Sequence, residues 1–356
     1  MNRLQAKLEK IERNPISTAK AVGLRYSVNC SKGYFRIKGK NGFKYKDENG
    51  FTISDKDILD RIKQLVLPPA WENVWISCIE NGHLQATGID AKGRKQYRYH
   101  ADWNKIRNQS KFYRLEKFAT YLPLIRSQVE KDLKIKELTY EKVVAIVIEL
   151  IQMTNIRIGN EAYKKLYGSF GLTTLQNKHV KFDKSKLTFQ FIGKKGIKHN
   201  INIHSKRLVN LVRKCKEIPG QDLFQYYDDN GNHCTIGSSD VNNYLKNICD
   251  YDFTAKDFRV WAGSINAFTA FQDYEKPTNQ AETKHTIIEV LDHVASKLGN
   301  TRTVCKKYYV HPNVIAAYEN GSIWNYKSKS QTDHFSPEEH SLIKLLQNET
   351  IAEVIG

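Results

Sequence analysis

The strongest constraint in this chain is a change of hydrophobic period near residue 100. Before it, apolar residues come in short alternating runs: Tyr34-Phe35-Arg36-Ile37-Lys38, Phe43-Lys44-Tyr45 and Val74-Trp75-Ile76. The pairs Asn41-Gly42 and Asn49-Gly50 break them. A period of two is the mark of a half-buried strand, and Asn-Gly is a favoured tight-turn pair. From Trp103 onward Leu115, Phe118, Leu122, Ile125, Val129 and Leu133 recur at steps of three and four, the spacing of one helix face. Two such textures in succession predict an α+β protein with two domains. The first is a small, mainly antiparallel β domain over 1–100, and the second a larger, mainly helical domain over 101–356.

Local signals refine this division. Residues 1–20 read as an exposed arm or a short helix. Ser54 to Leu67 reads as a helix with Asp55 near its start, ended by Pro68-Pro69. Pro123 predicts a break, or the first turn of a new helix. Val143–Met153 is apolar nearly all round and reads as a buried helix, with a β-branched strand as the alternative. Leu187–Phe191 and Ile197–Ile203 alternate on either side of Gly193-Lys194-Lys195-Gly196 and read as a hairpin. A long helical region is expected from Ser205. Asp228–Asn232 reads as a turn rather than a calcium loop, and Thr254 as a helix N-cap. The tail over 322–356 is polar, with an amphipathic helix at Pro337–Leu346 that either packs on the body or lies loose.

The charge balance narrows the partners. The 56 Lys+Arg against 38 Asp+Glu give a net charge of +18 across 356 residues. That excess suits a polyanion, nucleic acid before an anionic membrane. The longest apolar run, Val143 to Ile151, is interrupted by Glu149 and falls short of the roughly 20 residues a bilayer needs. The N-terminus lacks the apolar core of a secretory signal, so a cytoplasmic location is expected. The six cysteines, Cys30, Cys78, Cys215, Cys234, Cys249 and Cys305, form no Cys-x-x-Cys pair and read as reduced thiols, with no metal site. No phosphate-binding Gly-x-x-x-x-Gly-Lys-Ser/Thr loop occurs, so no ATP is expected.

Several stretches carry chemistry. Gly93-Arg94-Lys95-Gln96-Tyr97-Arg98-Tyr99 interleaves cations for phosphates, an amide for base edges and tyrosine hydroxyls for backbone oxygens. On composition alone it is equally an edge strand with a solvated face. Thr154-Asn155-Ile156-Arg157-Ile158-Gly159-Asn160-Glu161 puts an arginine at the end of a buried helix, where it needs an anion, and Glu161 could supply one internally. Arg259 in Lys256-Asp257-Phe258-Arg259-Val260-Trp261 has stacking or a core salt bridge as its ordinary explanation. Finally, Leu298-Gly299-Asn300 through Lys306-Lys307-Tyr308-Tyr309-Val310-His311-Pro312 sets two tyrosines behind two lysines. A phenol becomes a nucleophile where cations stabilise its anion.

Any one of these segments is ordinary, but their order along the chain is not. From about residue 26 to 316 the series resembles the type IB DNA topoisomerases, specifically their compact bacterial and poxvirus-like forms. The resemblance implies a catalytic domain of helices around a three-stranded sheet or hairpin. It also implies roles. Tyr309 would attack a DNA phosphate and form a 3′-phosphotyrosyl link, expelling a 5′-hydroxyl. Arg157 and Arg259 would hold the non-bridging oxygens, Asn300 would donate a further hydrogen bond, and Lys194 would act as general acid. Many relatives carry histidine where Asn300 stands; asparagine occurs in bacterial forms and argues against proton transfer there. On chemistry alone Tyr308 rivals Tyr309 and Lys195 rivals Lys194. The resemblance selects the tyrosine directly before Val-His-Pro and the lysine directly after the glycine.

By the same likeness Arg94, Gln96, Tyr97, Tyr99 and Lys195 would contact double-stranded DNA. The expected enzyme relaxes supercoils without ATP or an obligatory metal, with Mg2+ at most a stimulant. It would act as a nucleoid-associated monomer in the cytoplasm. Two rivals remain. A tyrosine recombinase shares the chemistry, but usually has histidine where Lys256 stands. A non-catalytic DNA-binding protein would be expected to have lost a nucleophile or an arginine.

Overall fold

A computed structural model describes residues 14–27, 32–39, 42–91, 93–332 and 334–348, without the side chains of 108–113. Most of the expected N-terminal arm, together with Asn41, Cys30 and Lys92, lies outside the described residues. The chain divides into two compact units, 1–113 and 114–356.

In the first unit, helix α1 (Pro15–Ala21) is capped by Asn14, whose side chain accepts from the Ile16 N–H at 2.9 Å. The three expected strands are β1 (Gly33–Gly39), β2 (Gly42–Lys46) and β3 (Glu72–Ser77). Two more are β4 (Leu84–Ile89) and β5 (Lys95–Tyr99), the latter from the stretch singled out for its basic and aromatic residues. All pair antiparallel in the order β2-β1-β3-β4-β5, so β5 is an edge. Helix α2 (Lys56–Gln64) is capped by Asp55 and stops short of the predicted Leu67. Val66 takes φ +48°, and the residue before a proline disfavours helix. Ile62 of α2 packs with Val74, Ile76 and Ala86 on one sheet face. The register sets Lys46, Phe35, Trp75, Thr87 and Tyr97 in a row on the other.

The second unit holds one large core. Helix α3 (Ala101–Leu133) runs on through Pro123; the predicted break does not occur. An interior proline costs about 3 kcal/mol. Leu122 and Ile125 flank it, both fully buried, and each is worth roughly 1.5–3 kcal/mol. Helix α4 (Tyr140–Thr154) settles the apolar run as a helix, with Val143 through Ile148 at 0% exposure. It ends at Asn155 in the left-handed region, and α5 (Glu161–Tyr167) follows.

Strands β6 (Val180–Asp183), β7 (Lys186–Ile192) and β8 (Lys198–His204) form an antiparallel sheet in that order. The long helical region expected from Ser205 is interrupted: helix α6 (Lys206–Glu217), capped by Ser205, stops before a β-hairpin. A small hairpin, β9 (Gln225–Tyr227) and β10 (His233–Thr235), turns on Asp228, whose Oδ1 accepts from the N–H groups of Asn230 and Asn232. Then come α7 (Ser238–Cys249), α8 (Ala255–Gln272), α9 (Gln280–Leu298), α10 (Arg302–Tyr308), α11 (Pro312–Glu319) and α12 (Pro337–Asn348). Phe118 of α3 meets Phe258 of α8 edge-on at 5.0 Å. The tail helix α12 is packed rather than loose: Leu342 and Leu345 are fully buried. Its Glu339 takes Arg126 of α3 through two hydrogen bonds, at 2.8 and 2.9 Å, and accepts from the Trp261 indole of α8 at 2.9 Å. No helix among the described residues is long and apolar enough to cross a membrane.

Candidate active site

The segment after α4 is fixed by its backbone. Leu172 N–H donates to the Arg157 carbonyl at 2.8 Å, and Thr173 N–H to the Ile158 carbonyl at 2.7 Å. This crossing is so close that a Cβ on Gly171 would lie 2.5 Å from the Arg157 oxygen. Gly159 takes φ +106° beside it. The half-buried Arg157 side chain is thereby presented across to the start of the next turn. Its Nη2 donates to the Gly299 carbonyl at 3.0 Å and to Asn300 Oδ1. The internal ion pair with Glu161 does not form, because Glu161 pairs with Lys164 at 3.3 Å.

Arg259, on α8, is 4% exposed. Its Nη1 donates to the Asn155 carbonyl and its Nη2 to the Leu298 carbonyl at 2.8 Å. Helix α8 begins at Thr254, whose N–H donates to Asp257 at 2.7 Å. Neither Arg157 nor Arg259 meets a carboxylate among the described residues. Burial pulls the Arg259 guanidinium down to about 10, with Arg157 adding to the fall and Tyr309 opposing it. Arg157 is lowered for the same chief reason, burial. Two guanidiniums are thus held on carbonyl oxygens with no anion, an arrangement that favours an incoming one.

Tyr309 follows α10 directly. Its N–H donates to the Cys305 carbonyl at 2.9 Å. Its carbonyl accepts from Ser264 Oγ at 3.3 Å, and that same Oγ accepts from the His311 N–H at 3.0 Å. The Val-His-Pro sequence is structural: Val310 is fully buried, His311 caps α11 through its Nδ1, and Pro312 opens that helix. The Arg259 guanidinium lies 5.3 Å from the Tyr309 ring centroid. Tyr309, Arg157, Asn300, Lys194 and Lys195 line one pocket of ≈ 150 Å³. Tyr308 is not among its lining residues; the Lys307 ammonium lies 5.4 Å from its ring centre.

Lys194 opens the turn Lys194–Gly196 between β7 and β8 and is exposed. Its ammonium lies 5.9 Å from the Tyr163 ring centre, beside a second pocket of ≈ 220 Å³ that Arg157 also lines. Among the described residues no group of His, Cys, Asp or Glu gathers as metal ligands would.

Residues 100–334 match the model of the catalytic core of eukaryotic DNA topoisomerase I. The chain belongs to the type IB DNA topoisomerases. Residues 42–90 match the N-terminal domain of bacterial DNA topoisomerase IB. A DNA topoisomerase 1B of Acanthamoeba polyphaga mimivirus is 31% identical over 275 residues, covering 75% of this chain and 82% of that protein. The DNA topoisomerase 1B of vaccinia virus (strain Copenhagen) is 21% identical over 267 residues, 74% of this chain and 81% of its own. The DNA topoisomerase 1 of rabbit fibroma virus (strain Kasza) is 25% identical over 235 residues, 64% of this chain and 70% of that protein.

In the first unit of this topoisomerase, the DNA-contact candidates cluster around β5. Arg94 is ion-paired to Asp90 at 2.6 Å, and Gln96 Nε2 donates to the same carboxylate at 2.9 Å. Strand alternation puts Gln96 and Tyr97 on opposite faces. Tyr97, 48% exposed, stacks near-parallel with Tyr99 at 6.0 Å.

Two contributors escaped the sequence reading. A Cβ on Gly263 would lie 2.5 Å from the Tyr309 carbonyl oxygen, so only glycine lets α8 pass under Tyr309. A glycine inside an otherwise helical pattern was the available signal. The second is His199, on β8, half-buried and lowered by burial and by both arginines. Its phase with Ile201 and Ile203 puts it on the inward side of the strand, away from Asn200 and Asn202, but that phase alone reads as packing.

Proposed function

We propose that this topoisomerase relaxes supercoiled duplex DNA through a 3′-phosphotyrosyl intermediate on Tyr309, with Arg157, Arg259, Asn300 and Lys194 as its catalytic residues. The phenol loses its proton to solvent, its oxygen attacks phosphorus and the bond to the 5′-oxygen breaks. Lys194 gives that oxygen a proton, so that a hydroxyl leaves rather than an alkoxide. The broken strand then turns about the intact one, and the 5′-hydroxyl attacks the phosphotyrosine to reseal. The phosphodiester energy is kept in the link, so neither ATP nor an obligatory metal enters, and Mg2+ serves at most as a stimulant.

One observation carries this reading: a buried and a half-buried arginine, neither with an anion among the described residues, stand beside one tyrosine. Among the described residues the Arg259 Nε and the Asn300 Nδ2 are buried without hydrogen-bond partners. Each orphaned donor costs about 1–3 kcal/mol, a cost that a phosphate oxygen would remove. Guanidinium suits the two non-bridging oxygens of the transition state because it binds both at once and stays charged. We read Arg94, Gln96, Tyr97, Tyr99 and Lys195 as contacts to double-stranded DNA, and the protein as a monomer acting on the nucleoid in the cytoplasm.

The test is relaxation of a negatively supercoiled plasmid in EDTA without ATP, beside the Tyr309→Phe and Tyr308→Phe proteins. Wild type and Tyr308→Phe should relax it. Tyr309→Phe should bind without relaxing. Relaxation by Tyr309→Phe would move the nucleophile elsewhere.

A further inference from the structure

The wall between the Lys194 turn and the Asn300 turn is a single imidazole. His199 pairs with Phe191 across β7 and β8, and their rings lie 4.8 Å apart at 20°. From there the ring leans towards the hairpin tip. Its Nε2 and Cδ2 lie 2.6 and 2.7 Å from where a Cβ on Gly193 would stand. On its other side, Cε1 lies 2.9 Å from where a Cβ on Gly299 would stand, with Arg157 Nη1 3.8 Å from that same point. Gly193 has an ordinary φ of −93°, so its backbone does not require glycine. What requires it is the ring. Gly193 immediately precedes Lys194 and Gly299 immediately precedes Asn300, so one flat side chain fills the space between the two turns.

We infer that His199 is a positioning residue for Lys194, docking the hairpin tip against the Gly299–Asn300 turn. The inference rests on the proposed role of Lys194 as general acid. A lysine at an exposed tip has a long, flexible stem, and the turn itself is closed by Gly193 N–H to the Ile197 carbonyl at 2.8 Å. That bond shapes the tip but does not aim it. The stacked ring ties the tip to Phe191, which is buried in the main core, and to the turn that Arg157 grips. The ring works by its shape: burial and the two arginines keep it below the usual histidine range, so it adds no charge at neutral pH. A proton donor must come within about 3 Å of its target, and a misplacement of about 1 Å can cost on the order of 10²-fold.

The test is single-turnover cleavage of a duplex whose scissile 5′-bridging atom is oxygen or sulfur. A sulfur leaving group needs no proton. His199→Ala should cleave the oxygen substrate more slowly by about 10- to 10²-fold and the sulfur substrate at the wild-type rate. DNA affinity, measured in a Tyr309→Phe background, should not change. Equal loss on both substrates, or no loss, overturns the inference. His199→Gln keeps a planar group and serves under the same criteria if the alanine protein does not fold. Lys194→Ala runs alongside. If sulfur fails to rescue Lys194→Ala, the general-acid reading falls and this inference with it. If sulfur rescues Lys194→Ala but not His199→Ala, only the positioning role falls.

Discussion

The Arg259 guanidinium sits 5.3 Å from the centre of the Tyr309 ring while its two terminal nitrogens are fixed on the carbonyls of Asn155 and Leu298. A lysine would keep the charge and lose the fork. Arg259→Lys should therefore slow single-turnover cleavage by about 10²-fold. A lysine variant with near-wild-type cleavage would show that charge alone suffices.

Gly263→Ala forces a methyl into the path of the Tyr309 carbonyl. Helix α8 should tolerate alanine, since alanine favours helix over glycine by about 1 kcal/mol. The displaced tyrosine should nonetheless cut about 10²-fold more slowly. Circular dichroism and covalent-complex formation measured together would separate the two effects; unchanged cleavage would refute the close-packing argument.

Lys195 holds φ +64°, a left-handed conformation that strains a residue with a Cβ. Lys195→Gly should be as stable as wild type or more so, by up to about 1 kcal/mol. Its cleavage rate at low salt should be preserved, with a shallower salt dependence of DNA binding. A loss of cleavage matching that of Lys194→Ala would exchange the roles of the two lysines.

Glu339→Ala would leave Arg126 without its carboxylate and Trp261 without its acceptor. A broken, largely buried pair costs about 3 kcal/mol. Urea unfolding should register most of that, and a change below about 0.5 kcal/mol would mean that the pair is idle.

His83 is buried, its Nδ1 accepts from the Ser27 N–H at 3.0 Å, and burial lowers its affinity for protons. Its folded value lies below its unfolded one of 6.5. The unfolded chain therefore binds the proton first, and stability falls as pH drops below 6.5. Melting curves of wild type and His83→Gln between pH 7 and about 5 should show a flatter decline for the variant. Parallel curves would contradict this.

How much of this was legible depended on whether the signal was local. The period change near Trp103, the buried run at Val143 and the helix starts at Asp55 and Thr254 are local, and the elements formed where they indicated. Pro123 misled because the helix breaker is local but the core that overrides it is not. The motif order gave the family, yet no motif said that Glu161 would turn to Lys164 and leave Arg157 to Asn300. Gly263 and His199 matter only through what lies across from them, at Tyr309 and between two turns. A single chain of letters carries no such partner.

The Tyr309 backbone is gripped on both sides, by Cys305 at its N–H and by Ser264 at its carbonyl, with Val310, His311 and Pro312 fixed directly after it. A DNA end esterified to that phenol would hang from the torsions of one side chain, with no slack of loop behind it. The attachment would be a post rather than a rope. Twisting force from the unwinding strand would then pass into α8 and the core, and the severed end would wait almost where it was cut, ready to be rejoined.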